Sequence, residues 1–489
     1  MVHTSCDLCH FRKEKCVSDT DANHCQRCVR LGVRCTNQRR LPRLGRRPKV
    51  EQLPSGTCGV LCFDSNENPE SLLGATASSV ATPSILELSQ PAGDEDTAIE
   101  QALVTTMASC SPYSVVRSHM PTVHPLGPSF YLLNDPESFY RVHRRFMMGR
   151  SFNDMFQRAI WSHLPRANGI LLKAYDVTFT TWNWEANRRK TRSEIDASLA
   201  SECLNFLRQH HFEHPGDAAA LLMFSQILFV YHINMHCTSA YSIVRSAMFT
   251  AAPHYEELLS DKSLDPITVT PVLIDTWEAL IRRELPSVRV SPSTRLIIDR
   301  MVGLCWPLIL LLQELCECSY RQKCAFPNYI DRDYAYGDVE SQIRDWEPTL
   351  PDGFFDQYPP LVVDTMFFQV RVYRAASLLI IHRLRYRLGD HDEEALSLSR
   401  IISSEVLDFL TWAPEELRHL PLGLPLLVAA IEAREICMKI IPQLAVLNRN
   451  QELLSQYVGF IDTVWEARHQ GYGGLWFDLI NSIQPPIII

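Results

Sequence analysis

Six cysteines fall within the first 35 residues of a 489-residue chain, and they repeat one spacing twice. The unit C-x2-C-x6-C occurs as CDLCHFRKEKC and again as CQRCVRLGVRC. Thiolates in C-x2-C pairs suit tetrahedral Zn(II), because the short loop lets both sulfurs reach one ion. The repeat therefore predicts two matching metal half-sites, formed by Cys6, Cys9, Cys16, Cys25, Cys28 and Cys35.

The number of ligands constrains the kind of metal site. Six thiolates fill the tetrahedral positions around two ions only if two of them bridge, which implies a binuclear cluster. A single four-cysteine site with the spacing C-x2-C-x15-C-x2-C is an alternative, but it leaves Cys16 and Cys35 without a role. A disulfide framework is a second alternative. It needs an oxidising compartment, whereas the segment from Met1 to Lys15 has no apolar core of the kind that a secretory signal needs.

The segment from Cys6 to Cys35 contains too few apolar residues to build a core. Bound metal is therefore expected to hold it together, since structural zinc contributes roughly 10–16 kcal/mol to the folding of small fingers. The other ten of the 16 cysteines are scattered along the chain, which is typical of buried thiols in a reducing compartment.

The cysteine pattern, with the basic run of Arg12, Lys13 and Lys15 between its second and third cysteines, resembles the fungal Zn2Cys6 binuclear-cluster transcription factors. The resemblance implies two Zn(2+) ions per chain, with Cys6 and Cys25 as the bridging ligands. The remaining ligands would complete two sites, Cys9 and Cys16 in one, Cys28 and Cys35 in the other.

The same resemblance implies how double-stranded DNA is read. A short helix beginning near Asp7 would lie at the major groove, and Arg12 and Lys13 align with the base-contacting pair of the family. Lysine there can donate to N7 and O6 of guanine, which fits the CGG-type half-sites that the family reads. His10 departs from the family pattern, where Arg is usual. The remaining cations are expected to bind phosphates: Lys15, Arg27, Arg30, Arg39, Arg40, Arg43, Arg46 and Arg47.

The charge of the chain is divided unevenly. The first 50 residues hold 12 Lys and Arg but only 4 Asp and Glu, a net of +8, so the rest carries −17 within a total of −9. A basic head on an acidic body indicates that a polyanion is bound at one end only.

Four segments are predicted along the chain. Residues 1–38 are the Zn2Cys6 DNA-binding domain, and residues 39–50 are a basic strap that Pro42 and Pro48 keep from forming a helix. The strap suits phosphate contacts, nuclear import or both. Residues 51–125 are rich in Ser, Thr, Pro and Gly and are predicted to be a disordered linker. Residues 126–489 follow helical periodicity and are predicted to be a large all-α regulatory domain.

Several helices are expected within the last segment. They are Asp217 to His236, Met366 to Leu388, Glu405 to Trp412, Leu424 to Ile441, and Glu452 to Arg468. Arg383, Arg385 and Arg387 are expected to complement the dipole at the end of the second, with Gly389 as its left-handed cap, rather than to form a second DNA site. The segments 373–384, 421–434 and 464–480 are similar to the fungal-specific transcription factor regulatory domain, which implies an all-helical fold.

Other classes of function are weaker alternatives. Neither G-x-S-x-G, nor a Walker loop, nor G-x-G-x-x-G, nor H-E-x-x-H occurs, so we do not expect an enzyme. His232 and His236 are spaced i, i+4 but lack a third ligand, so a structural pair is expected. The apolar stretches Leu304–Leu315 and Leu422–Ile431 are too short to span a bilayer, and no membrane association is expected. A ligand sensor and a partner-dependent nuclear scaffold with little DNA specificity stay open.

The sequence thus predicts a nuclear RNA polymerase II transcription regulator that reads CGG-type sites. Residues 45–48 are similar to the segment after the cluster in regulators of fungal secondary-metabolite gene clusters, which suggests a pathway-specific role. Mixed acidic and apolar residues around 63–73 and 94–103 suit contacts with coactivators or the transcription machinery. No heptad run follows the strap, so either a monomer binds DNA or a homodimer forms through the helical domain.

Overall fold

The three-dimensional description of the protein is a computed structural model. It describes Cys16, Cys25 and Gln26, and the residues from 133 to 481 except 164–169, 187–196, 210–213, 238, 292–294, 325–331, 445–446 and 448–449. The chain divides into two units, Met1–Tyr113 and Ser114–Ile489. The predicted basic strap and disordered linker lie outside the described residues.

The described part of the second unit is helical, which confirms the all-α expectation for these residues. Its α-helices are α1 (Pro136–His143), α2 (Asn153–His163), α3 (Ile170–Ala186), α4 (Ala197–Gln209), α5 (Pro215–His236), α6 (Tyr241–Ala251), α7 (Tyr255–Ser260), α8 (Asp265–Arg282), α9 (Trp306–Cys324), α10 (Arg332–Asp345), α11 (Phe354–Gln357), α12 (Pro360–Arg385), α13 (Asp392–Trp412), α14 (Gly423–Glu432), α15 (Arg434–Ile440) and α16 (Gln451–His469). The 3-10 helices are Arg144–Phe146, Arg150–Phe152, Ala252–His254, Lys262–Leu264, Glu415–Leu417, Ile441–Gln443 and Trp476–Asn481. Within the same residues, β-pairing is limited to an antiparallel bridge between Asp299 and Gly303.

Helix α5 confirms the predicted buried helix from Asp217 to His236. It is longer than either stretch that the sequence singled out as most apolar, and by length and composition it could cross a membrane. However, 78% of the most apolar stretch of this helix is buried inside the protein, and α5 packs against α3, α6 and α8. A helix that is apolar all round is either a core helix or a membrane span, and this packing favours the core.

Helix α8 lies in the middle of the core, and even its carboxylates are buried. Asp275 accepts hydrogen bonds from Tyr241 Oη and from the backbone N and Oγ of Ser287, while Glu278 accepts from Ser239 and Arg282. Burial raises the pKa of both carboxyls, but these donors favour the charged forms. Both buried carboxylates therefore have hydrogen-bond donors, so α8 can be surrounded by the core on all sides.

Three predicted helix boundaries differ from those in the structure, because local backbone conformation and the residues of the first turn determine where these helices begin and end. Helix α12 begins at Pro360, earlier than the predicted Met366, because proline fits the first helical position. Helix α13 begins at Asp392, where acidic residues occupy the first turn, rather than at Glu405. The predicted helix from Leu424 to Ile441 is two helices, because Ala433 leaves the helical region with φ −129 and ψ 68.

Arg383 corrects the expectation for the end of α12. The helix ends at Arg385, and Tyr386 is extended, so Gly389, with φ +94, turns the following loop instead of capping the helix. Arg383 is not a solvated cation at the helix end. Its side chain is 1% exposed and donates from Nε and Nη2 to the two oxygens of Glu432 at 2.8 and 2.6 Å.

A buried ion cluster surrounds Arg383. Its Nη2 also donates to Asp392 at 2.6 Å, and its Nη1 donates to the carbonyl oxygens of Arg387 and Asp390. Arg468 from α16 bonds to Asp392 and lies 3.7 Å from Glu432. The cluster joins α12, α13, α14 and α16 through charges that would be costly to bury alone.

We predict that Glu432→Gln lowers the free energy of unfolding by about 3–5 kcal/mol, because it removes the buried carboxylate of Arg383 and leaves the more exposed Asp392 as its charged partner. Urea unfolding of the full chain, followed by helical circular dichroism, measures the change. The matched control is Glu405→Gln. Glu405 lies 2.9 Å from Nε of Arg371, whose side chain is half exposed, so this substitution should lower the free energy of unfolding by less than about 1 kcal/mol. Equal losses for the two variants would show that burial of the Arg383 pair carries no special cost.

Candidate metal centre and nucleic-acid interface

The described residues of the first unit are two of the six predicted ligands and one neighbour. Cys25 is 1% exposed and Cys16 is half-buried. Gln26, which directly follows Cys25, is helical and exposed.

The donor set fits zinc. Cys25 is almost fully enclosed although the segment from Cys6 to Cys35 has few apolar residues. Enclosure of a sulfur in so polar a segment agrees with a ligand that closes a metal cluster. Four thiolate ligands around one ion suit Zn(II), because its filled d shell imposes no geometry and leaves tetrahedral coordination favourable. Cys6, Cys9, Cys28 and Cys35 lie outside the described residues.

One comparison with known proteins identifies this segment. A family model, the fungal Zn(2)-Cys(6) binuclear cluster domain, matches residues 4–44. Residues 4–44 are a zinc-cluster domain. This domain binds two zinc ions, and it indicates a DNA-binding transcription regulator of the fungal type. No curated protein and no solved structure matches the chain.

The match ends at residue 44 and does not reach the second unit, Ser114–Ile489, which is called the helical unit below. The similarity of that unit to the fungal-specific transcription factor regulatory domain therefore stays a prediction. So does the assignment of individual ligands, including Cys6 and Cys25 as the bridging pair.

All of the predicted DNA contacts lie outside the described residues. Arg12, Lys13, Lys15, Arg27, Arg30, Arg39, Arg40 and Arg43 fall within the zinc-cluster match, whereas Arg46 and Arg47 follow it. The match thus covers both predicted base-contacting residues and most of the predicted phosphate contacts, and their individual roles stay predictions.

The histidine pair on α5 lies on one helix, with the two rings close together. The rings of His232 and His236 have their centroids 4.7 Å apart. Burial lowers the pKa of His232 to about 4, so the ring is neutral at physiological pH. Among the residues that the structure describes, no group of three or more His, Cys, Asp or Glu side chains is placed to hold a metal ion.

Cysteines of the helical unit differ from those of the zinc-cluster domain. Cys203, Cys305, Cys316 and Cys437 are buried separately in the core, and burial raises the pKa of each thiol. A raised pKa keeps the thiol protonated, which disfavours both metal binding and nucleophilic attack. Among the described cysteines of this unit, these four and Cys237 are buried, Cys318 is half-buried and Cys324 is exposed, so the expectation of mostly buried thiols is confirmed for the described residues.

Sequence reasoning missed Arg300 and His143, which are both 3% exposed and line one cavity of the helical unit. No motif marks them, because they are far apart in the chain and come together only through tertiary packing. The sole signal in the sequence is an arginine set between apolar segments, which also fits an exposed loop.

We predict that Cys16→Ser lowers the zinc content of the full chain below two ions per chain, because a binuclear cluster needs all six thiolates. Native mass spectrometry measures the stoichiometry. The matched control is Cys324→Ser, an exposed cysteine of the helical unit, which should keep both ions. One ion in both the unsubstituted chain and Cys16→Ser would instead favour the single four-cysteine site.

Proposed function

We propose that the protein is a sequence-specific, DNA-binding RNA polymerase II transcription regulator that acts in the nucleus and reads CGG-type sites. The observation that carries this proposal is the zinc-cluster match at residues 4–44, which coincides with the basic end of the chain. Zinc would act structurally, since the six cysteines fit a closed cluster with no open coordination position. No catalytic role is proposed for the chain.

Two sets of cations would divide the work of DNA recognition. Arg12 and Lys13 are proposed to read base edges, because donors at the major groove can bond to N7 and O6 of guanine. The proposed phosphate contacts are Lys15, Arg27, Arg30, Arg39, Arg40, Arg43, Arg46 and Arg47. Phosphate contacts hold the protein on the duplex but carry no base information, so the two sets differ in the effect of their loss.

The helical unit supports this division because many of its arginines are already engaged by acids. Arg383 pairs with Glu432, Arg385 with Glu340 at 2.8 Å, and Arg434 with Asp462 at 2.6 Å. Residues 51–113 hold nine acidic residues and no Lys or Arg, so the helical unit, residues 114–489, has a net charge of −8, which would still repel a polyanion. We therefore assign DNA contact to the first unit and regulatory output to the second.

The protein is also proposed to act with protein partners. The segments around 63–73 and 94–103, which lie outside the described residues, are proposed to contact coactivators or the transcription machinery. A homodimer through the helical unit and a monomer on DNA are both consistent with the absence of a heptad run after the strap. The similarity at residues 45–48 supports a pathway-specific role, with a secondary-metabolite gene cluster as the target.

We predict that Lys13→Ala reduces discrimination against a changed CGG triplet by roughly 1–3 kcal/mol, because it removes a base contact. The matched variant is Arg43→Ala in the strap, which should weaken binding to all duplexes similarly and reduce the salt dependence of binding. Titrations of the full chain on matched and changed duplexes at two salt concentrations measure both effects.

Three results of these titrations have different meanings. Loss of discrimination only in Lys13→Ala supports the proposed base contact. Uniform weakening by Lys13→Ala would reduce this residue to a phosphate contact. A full chain that binds both duplexes equally before any substitution would contradict sequence-specific reading and favour a partner-dependent nuclear regulator.

A further inference from the structure

A cavity of about 80 Å³ lies within the helical unit, where α1, α2, α3, α5 and α8 meet the turn at residues 299–303. Most of its wall is apolar, including Phe156 and Ile227, but His143 and Arg300 also line it. Val230 and Gln226, two other lining residues, are only half-buried. They mark the side on which the cavity approaches the surface.

Arg300 brings a positive charge to the wall of this cavity. Its Nη1 donates to the carbonyl oxygen of Phe146, and its Nη2 donates to Pro266 O, Thr270 Oγ1 and Gln226 Oε1 at 3.0 to 3.2 Å. All of these acceptors are neutral. The guanidinium carbon lies 4.0 Å from the ring centroid of Phe156, and Nε has no hydrogen-bond partner.

The adjacent carboxylate, Asp299, favours the charged form of Arg300 through its own charge, but it makes no hydrogen bond to the guanidinium. Asp299 is buried, and its Oδ1 accepts hydrogen bonds from the backbone N–H groups of Met301 and Val302. Among the described residues it forms no ion pair with Arg300, and it does not line the cavity. The charge of Asp299 reduces the cost of burying Arg300, but Nε still lacks an acceptor, which the carboxylate of a bound anion would supply.

His143 supplies a hydrogen-bond acceptor to the cavity, whereas Arg300 supplies donors. Its Nδ1 lies 2.9 Å from the carbonyl oxygen of Phe139, so this nitrogen carries the proton. Its Nε2 then offers a lone pair, and it has no hydrogen-bond partner. Burial lowers the pKa of the ring to about 3, which keeps it neutral and able to accept. The ring is fixed by stacking on Phe139, with the centroids 4.0 Å apart.

We propose that this cavity binds a small hydroxy acid. Arg300 attracts the carboxylate, His143 Nε2 accepts a hydrogen bond from the hydroxyl, and the apolar wall covers the carbon chain. The volume is about half of the roughly 150 Å³ cavity that holds benzene in a well-studied protein, which limits the ligand to three or four carbons. The proposal does not depend on the zinc-cluster domain or on its DNA site.

Calorimetric titration of the full chain with lactate, propionate and lactamide tests the proposal. Lactate should bind saturably, whereas lactamide, which lacks the charge, and propionate, which lacks the hydroxyl, should each bind at least about tenfold more weakly. Absence of binding by lactate at about 10 mM would mean that the cavity holds water only, and would overturn the proposal. Equal binding of lactate and lactamide would also overturn it.

Two variants locate the binding. Val230→Phe fills the half-buried side of the cavity and should weaken lactate binding at least about tenfold. Its matched control is Val458→Phe on α16, also a half-buried valine packed on the core, which should leave binding unchanged. His143→Phe keeps an aromatic ring against Phe139 but removes the acceptor, so lactate and propionate should then bind alike. Unchanged lactate affinity in Val230→Phe, or retained preference in His143→Phe, would contradict the assignment.

Discussion

The buried ion pair between Arg383 and Glu432 is the constraint on which the C-terminal half of the helical unit depends. Both side chains are 1% exposed, so neither charge can be satisfied by water if its partner moves. Asp392 and Arg468 extend the pair to α13 and α16, which fixes four helices relative to one another. The pair contributes little net stability by itself, but its disruption is costly, so it favours one arrangement of these helices over alternatives.

This internal use of charge separates the two units by function. In the helical unit, Arg383, Arg385 and Arg434 form ion pairs with acidic residues of the same unit. Arg300 is proposed to bind the carboxylate of a small molecule and not the phosphates of DNA. At the N-terminus, cations outnumber acids 12 to 4 and the cysteines are proposed to organise them around metal. We propose that zinc replaces the apolar core that the segment from Cys6 to Cys35 lacks, so that this basic segment folds without burying its charges. The same chain can therefore present cations to DNA at one end while its body remains acidic.

The sequence predicted some features well because they depend on local patterns. Cysteine spacing alone led to the zinc-cluster domain, and apolar periodicity found α5 and α12. Features that depend on tertiary contacts were missed or misread. Arg383 sits where a helix dipole would favour a cation, and only the position of Glu432, 49 residues later, shows that it is buried. The break at Ala433 carries no Gly or Pro signal, and the cavity joins His143 to Arg300 through helices whose relative positions no local rule supplies.

We propose that zinc organises the N-terminal segment so that it recognises a specific DNA sequence. Selection from random duplex DNA with the full chain, once loaded with zinc and once stripped by a chelator, measures whether it does. We expect the zinc-loaded chain to enrich a CGG-type triplet and the stripped chain to enrich no sequence. If the loaded chain enriches nothing, or the stripped chain enriches the same sequence, zinc does not organise a sequence-specific DNA contact in this protein.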